Sequence, residues 1–235
     1  MDVTVEEARN LVADQALWPR VRDFLWDFAP QVHPSWLEDL FSSDSPLLGH
    51  PLCGQPSAGG YAVLRDMKSP RVKRFVLDSL GVEPCFHRFP KDDGSRLMLL
   101  DGATLVSVAK WLGALACAES LRRVTSGSVV RELKAALPGV YPEVFGYTMY
   151  FGGFAAKNAK DAKTADEILA AGLEILASAV AGVFEPLASR LKFKIPKNLC
   201  DLCVPCGEKE TLSIAFPTIL KLLKLKFPEA YSLCC

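Results

Sequence analysis

The sequence predicts an all-α protein, built as a compact multi-helix domain with short connections. Three observations lead to this prediction. Apolar residues recur at the three- and four-residue spacing of helices in most segments of the 235-residue chain. Proline, glycine and capping residues mark the segment ends at intervals that suit helices of ordinary length. Strands are suggested only at residues 85–100, where the turn sequence Lys91-Asp92-Asp93-Gly94 predicts a small β-hairpin.

The N-terminal part of the chain combines a predicted helix with a long loop. Residues 6–17 carry apolar side chains at helical spacing, and Pro19 is expected to end that helix. Residues 42–60 are rich in Ser, Pro and Gly, which is typical of a loop. We therefore divide the chain into a mobile N-terminal region, residues 1–60, and a main helical domain, residues 61–235.

Four further helical segments follow from their end signals. Ser69-Pro70 is a cap with proline at the first helical position, and Gly81 ends that helix. Asp101 caps a strongly apolar helix. Residues 128–137 form the next helix, with Ser128 as its predicted cap and Pro138-Gly139 as its end. Pro142 is placed to open another, which runs to Gly152-Gly153.

The C-terminal part contains two more predicted helices. Thr164 and Glu167 have the spacing of a capping box, which predicts a helix from there to Phe184. The last helix is expected over residues 208–226, with Pro217 as a kink or a restart.

Charge and hydropathy indicate which partners and which location to expect for the protein. The 27 basic and 27 acidic side chains balance, so no nucleic-acid partner is expected from bulk electrostatics. The N-terminus lacks the features of a signal peptide, and the longest apolar run, residues 168–184, contains Glu174 and is short for a membrane span. We expect a cytoplasmic location with at most peripheral membrane contact, and reduced cysteines.

Catalytic patterns are missing from the sequence. The three histidines, His33, His50 and His87, accompany no serine elbow and no paired cysteine. The glycine pairs do not continue into a phosphate-binding loop, and Asp92-Asp93 are typical of a turn. We therefore predict no enzymatic activity and no cofactor.

Three segments resemble one known family, and they occur in that family's order. Residues 28–37 read FAPQVHPSWL, with a His-Pro-Ser turn after a proline. Residues 105–145 contain a Leu-Gly helix, a Leu-Arg-Arg step and a Gly-x-Tyr segment ending at Phe145. Residues 190–196 read RLKFKIP. The set is similar to the SctK (YscK) family of the bacterial type III secretion sorting platform. One departure is Pro138, where the family more often has leucine before the glycine.

The resemblance implies a helical adaptor without catalytic activity. Such adaptors connect the cytoplasmic domain of the basal-body inner-membrane ring to the sorting-platform pod protein, and so to the stator and the secretion ATPase. This implies a position at the cytosolic face of the inner membrane. The candidate partner-binding residues are Trp36, Trp111, Arg122, Arg123 and Arg131. Two alternatives stay open: Trp111 is equally a core residue, and the arginines are equally suited to internal salt bridges.

A cysteine cluster provides an alternative function. Cys200, Cys203 and Cys206 have a spacing that lets three thiolates converge on zinc or an iron–sulfur cluster, with Cys234 or Cys235 as a fourth ligand. The competing interpretation is an incidental cysteine-rich loop, because the chain lacks a second CxxC pair and a nearby histidine.

A basic amphipathic stretch covers residues 220–227, where lysines alternate with leucines. It suits an anionic membrane surface. It suits equally a helix that packs its apolar face on the domain and leaves its lysines in water.

Overall fold

The computed structural model describes residues 15–38, 40, 69–83, 85, 87–91, 94–151, 164–180, 185–200 and 212–235. Within these ranges every regular element is a helix, which confirms the predicted all-α class. The loop predicted over residues 42–60 and the domain boundary predicted at residue 60 lie outside the described residues, and the boundary stays a prediction.

The α-helices are short and follow one another along the chain. They are α1 (Trp18–Leu25), α2 (Pro34–Glu38), α3 (Pro70–Ser79), α4 (Gly102–Ala116), α5 (Ala118–Arg122), α6 (Gly127–Ala136), α7 (Val144–Tyr147), α8 (Ala165–Val180), α9 (Glu185–Lys194), α10 (Lys197–Cys200), α11 (Leu212–Lys226) and α12 (Pro228–Cys234). Three 3₁₀ helices cover Ala29–Gln31, Ser95–Leu99 and Thr148–Phe151.

The chain divides into two compact units. The first unit is drawn from Met1–Pro90 and Phe184–Cys200, and the second from Lys91–Val183 and Asp201–Cys235. Each unit therefore combines two stretches that are separated in the sequence.

Local signals set most of the helix starts. The Asp101 carboxylate accepts a hydrogen bond from the backbone N–H of Thr104 at 2.8 Å, as its predicted capping role requires. The predicted capping box is also confirmed: the Glu167 carboxylate accepts from Thr164 N–H at 3.0 Å, and the Thr164 hydroxyl accepts from Glu167 N–H at 3.3 Å. Pro217 lies inside an uninterrupted α11.

The helix predicted over residues 6–17 lies largely outside the described residues, and its end before Pro19 stays a prediction. Pro19 itself lies in the first turn of α1, where the N–H groups have no intrahelical partner and a proline loses nothing. One predicted helix start is wrong. The helix after α5 starts at Gly127, with Ser126 rather than Ser128 in the capping position.

The predicted β-hairpin near residues 85–100 is wrong. None of the described residues in this range forms a strand, and Ser95–Leu99 is a 3₁₀ helix. Gly94 precedes it with a φ of +76°, a left-handed conformation that glycine adopts without strain. Residues 97–100 are all buried, and a run of consecutive buried residues does not suit a two-stranded ribbon that exposes alternate side chains.

The core of the first unit contains a buried arginine. Arg190, on α9, is only 1% exposed. Its Nη1 donates to the carbonyls of Phe24 at 2.5 Å and Leu25 at 3.0 Å, and its Nη2 donates to the carbonyl of Glu83 at 2.6 Å. The two α1 carbonyls belong to the last helical turn, where backbone acceptors have no intrahelical donor. The guanidinium therefore caps α1 from the interior. Burial lowers the pKa of Arg190, but arginine remains cationic at neutral pH.

The first and third segments of the family resemblance meet within this unit. The backbone N–H of His33 donates to the carbonyl of Phe193 at 2.7 Å. The Ser35 hydroxyl accepts from the N–H of Lys197 at 2.9 Å, and His33 Nδ1 accepts from the N–H of Ser35 at 3.2 Å. His33 thus has a structural role in holding a turn against α9.

The core of the second unit is built on a close crossing of α4 and α8. The backbones approach so closely that a Cβ built on Gly113 would lie 1.8 Å from the carbonyl oxygen of Ile168. A Cβ on Gly172 would lie 1.8 Å from the carbonyl oxygen of Ala109. The glycines therefore permit a helix contact that no larger residue allows.

Candidate protein-interaction surface

Three large hydrophobic residues stand out by their exposure among the described residues. They are Met149 at 88%, Tyr150 at 59% and Leu225 at 46% exposed. All three belong to the second unit. Single exposed apolar side chains are common on protein surfaces, whereas a group of them on one face indicates a binding surface.

Met149 and Tyr150 lie in a short helical segment whose other side packs against the core of the second unit. The segment consists of α7 and the 3₁₀ helix Thr148–Phe151, and its first and last apolar residues, Val144 and Phe151, are buried. The Tyr147 ring packs edge-on against the Trp111 ring at 5.5 Å, which ties the segment to α4. With its buried side anchored, the segment leaves Met149 and Tyr150 in solvent.

Lys221 connects this segment to α11. Its Nζ donates a hydrogen bond to the carbonyl of Tyr150 and lies 5.4 Å from the centre of the Phe151 ring. Leu225 is one helical turn beyond Lys221, on the same side of α11. The exposed leucine therefore lies one helical turn from the lysine whose ammonium contacts the Tyr150 backbone.

Lys226 reinforces this junction. Its Nζ lies 4.4 Å from the centre of the Trp111 ring and 4.2 Å from that of Tyr147, and it forms an ion pair with Glu143 at 2.8 Å. Burial alone lowers the pKa of Lys226, but hydrogen bonds to Glu143 and Tyr147 outweigh it, so the pKa is raised. Lys226 is a structural cation whose charge is already matched by Glu143.

Arg122 lies on the other side of the exposed segment. Its Nη2 donates to the Thr148 hydroxyl at 2.7 Å, and its guanidinium carbon lies 5.7 Å from the centre of the Phe145 ring. In the part of the chain that the structure describes, no carboxylate lies within ion-pair distance of this exposed arginine. We call Arg122, Met149, Tyr150, Lys221 and Leu225 the aromatic–basic surface.

The other predicted partner-binding residues have local roles. Trp111 is 5% exposed, which favours the core alternative, and it supports the aromatic–basic surface from below. Arg123 pairs with Glu119 one turn earlier in the chain. Arg131 donates to the carbonyl of Gly127 at 3.3 Å within its own helix.

Trp36 belongs to the first unit and is half-buried. Its Nε1 donates to the carbonyl of Ile195 at 2.9 Å, and its ring packs edge-on against Phe193 at 4.9 Å. These contacts join α2 to the end of α9. The Lys197 ammonium lies 5.9 Å from the centre of the Trp36 ring.

Among the predicted candidates, only Arg122 belongs to the aromatic–basic surface. The exposure of Met149, Tyr150 and Leu225 was not predicted. The sequence carried one signal for it: residues 147–151 read YTMYF, a dense aromatic run with no charged residue in a part of the chain whose helices are otherwise amphipathic.

The metal hypothesis falls mostly outside the described residues. Cys200 ends α10, whereas Cys203 and Cys206 are not described. Among the described side chains, no three His, Cys, Asp or Glu residues converge as a metal site would require. Burial raises the pKa of the Cys234 thiol to about 12, and it does the same for Cys117. The buried Cys234 thiol is therefore protonated at neutral pH.

Comparison of the chain with protein-family models, curated proteins and solved structures gives no significant match. None of the helices within the described ranges has both the length and the hydrophobicity that crossing a bilayer requires.

Proposed function

We propose that this chain is an adaptor of a bacterial type III secretion sorting platform. It binds the cytoplasmic domain of the inner-membrane ring on one side and the pod protein on the other, at the cytosolic face of the inner membrane. The pod in turn leads to the stator and the secretion ATPase. The identity of the partners rests on the resemblance of residues 28–37, 105–145 and 190–196 to the SctK family.

The structural observation that supports an adaptor is the aromatic–basic surface. Tyrosine, methionine and arginine are enriched at protein interfaces, where they supply large contact areas and directional hydrogen bonds. Here Tyr150 and Met149 project from an anchored segment, so little backbone freedom is lost when a partner covers them. Arg122 supplies a planar set of donors at the edge of the same surface.

An adaptor needs a second binding face, which we assign to the first unit. Trp36 is its candidate anchor, since the ring is half-buried beside the Lys197 ammonium and its indole nitrogen is already satisfied by the Ile195 carbonyl. A partner would thus gain contact with the exposed part of the ring without breaking a hydrogen bond.

Binding measurements with purified components test this function. The full chain is titrated separately with the ring cytoplasmic domain and with the pod protein of the same organism, by calorimetry and by light scattering after gel filtration. We expect association with both proteins and a ternary complex when all three are mixed. Arg74→Ala, a change at an exposed residue of α3, serves as the control and should bind normally. If neither protein associates with the chain, alone or together, the proposed function is wrong.

A further inference from the structure

We infer that the aromatic–basic surface binds an acidic amphipathic helix of a protein partner. This deepens the proposed function and rests on it only for the identity of that partner. The inference starts from the charges that surround the three exposed hydrophobic residues.

The charges around the surface are unbalanced. Described contacts place the cations Arg122, Lys221 and Lys226 around the exposed segment. The same contacts place a single carboxylate there, Glu143, and Lys226 already pairs with it. The described charges at this surface are therefore net positive, although the chain as a whole is neutral.

The cations at its edges have neutral hydrogen-bond partners. Arg122 donates to the Thr148 hydroxyl, and Lys221 donates to the Tyr150 carbonyl. Hydrogen bonds between a cation and a carboxylate are shorter and roughly twice as strong as those between neutral groups. A carboxylate from a partner would therefore add a favourable interaction at both edges, and among the described residues it would displace no salt bridge of either cation.

The apolar part of the surface is small. Met149 and Tyr150 come from the 3₁₀ helix, and Leu225 comes from α11. An amphipathic helix presents apolar side chains at i, i+3, i+4 and i+7 in a narrow stripe, with polar residues on either side. Carboxylates beside such a stripe would face Arg122 and Lys221 while the stripe covers the three apolar side chains.

An anionic membrane is the less favoured occupant. Membrane binding by residues 220–227 would need the apolar face of α11 to be open. Instead Ile219, Leu222 and Leu223 are fully buried, and α11 packs against α8 and α4. Leu225 is the one leucine of this stretch that is largely exposed among the described residues, which is too little apolar area for stable insertion.

The test uses the full chain and a synthetic helical peptide of leucine, alanine and glutamate with one apolar stripe. Binding is followed by calorimetry and by amide chemical shifts. Three other ligands are measured in parallel. They are a matched peptide with lysine in place of every glutamate, vesicles of phosphatidylglycerol and phosphatidylcholine, and a short oligothymidylate. We expect the glutamate peptide alone to bind, with shifts confined to residues of the aromatic–basic surface and an affinity that falls as salt is raised.

Variants assign the binding to individual side chains. Two variants should each weaken binding of the glutamate peptide at least about tenfold: Tyr150→Ala, and the double variant Arg122→Glu with Lys221→Glu. Arg123→Glu changes the charge as much as either single substitution of the pair, at the C-cap of the helix that carries Arg122 and at a side chain that pairs with Glu119, and it should change binding less than about twofold. Far-ultraviolet circular dichroism verifies that each variant is folded.

Several outcomes would overturn the inference: no peptide binding, equal binding of the lysine peptide, binding of the vesicles or the oligonucleotide instead, or shifts elsewhere on the chain. The same variants are then tested on the ring and pod proteins. If those proteins bind and the surface variants bind them normally, the inference fails while the proposed function stands. If the peptide binds this surface but neither protein associates, the proposed function fails while the inference stands.

Discussion

The crossing of α4 and α8 allows a quantitative test of the fold, through the substitutions Gly113→Ala and Gly172→Ala. Ordinary contacts of a Cβ lie at 3.4–4 Å, whereas the new Cβ would lie 1.8 Å from a backbone oxygen at either position. Because both obstacles are backbone atoms, no side-chain rotation relieves them. The helices must separate by roughly 1.5 Å, which loosens the close-packed core around them.

Two effects of opposite sign decide the result. Alanine in place of glycine within a helix stabilises by about 1 kcal/mol, because it restricts the unfolded chain and favours the helix. Overpacking in a close-packed core costs about 1–3 kcal/mol and sometimes more, and a backbone clash belongs at the upper end. We therefore expect each variant to be destabilised by about 2 kcal/mol, with a melting temperature roughly 4–8 °C lower.

Urea unfolding followed by circular dichroism measures this change. Gly127→Ala is the matched control, because a Cβ there meets nothing within 4 Å and no left-handed backbone is involved. It should be neutral or slightly stabilising. Since Gly113 and Gly172 belong to one crossing, the double variant should cost less than the sum of the single variants. If Gly113→Ala and Gly172→Ala are as stable as the parent, the close approach of α4 and α8 is wrong.

Three further predictions concern other contacts. Arg190→Met should destabilise the protein by about 3 kcal/mol in urea unfolding, because the buried carbonyls of Phe24 and Leu25 and the partly buried carbonyl of Glu83 lose their donor. Arg190→Lys should recover only part of this loss, and full recovery would argue against the forked contact. Because the Lys226 pKa is raised above 10.5 in the folded protein, its contribution to stability is complete below that pH and is lost as the pH rises through the raised value. The stability difference between the parent and Lys226→Met should therefore stay constant up to about pH 10 and shrink as the pH rises further, and a difference that does not shrink there would contradict the assignment. If the cysteine cluster holds a metal, elemental analysis of anaerobically purified protein should find it in stoichiometric amount and Cys203→Ser should abolish it; a metal-free parent would rule out this alternative.

The candidate surface shows where sequence reasoning ends. Arg122 was chosen because of the family resemblance and the preference of arginine for interfaces, and the structure places it at the edge of the exposed segment. Arg123, one residue along, was chosen on the same grounds and pairs with Glu119 instead. Neighbouring arginines on a helix point in different directions, and which direction faces open solvent depends on how that helix packs.

Signals confined to a few neighbouring residues predicted the helical class and several helix starts. The caps at Asp101 and Thr164 formed as expected, because each capping side chain bonds to backbone only three residues away. The β-hairpin prediction is wrong because the turn residues at 91–94 lead into a continuous apolar run at residues 97–100, which is buried and begins within a 3₁₀ helix. Periodicity alone does not separate a short buried helix from a short buried strand.

Features that join distant parts of the chain could be found only in three dimensions. The burial of Arg190 depends on carbonyls at positions 24, 25 and 83, far from it in sequence. The need for glycine at positions 113 and 172 arises only because two helices cross there. Likewise, Tyr150 and Leu225 are next to a common lysine only after α11 has packed beside the exposed segment. Local hydrogen bonds are encoded in neighbouring residues, whereas burial, exposure and close approach are properties of the packed chain.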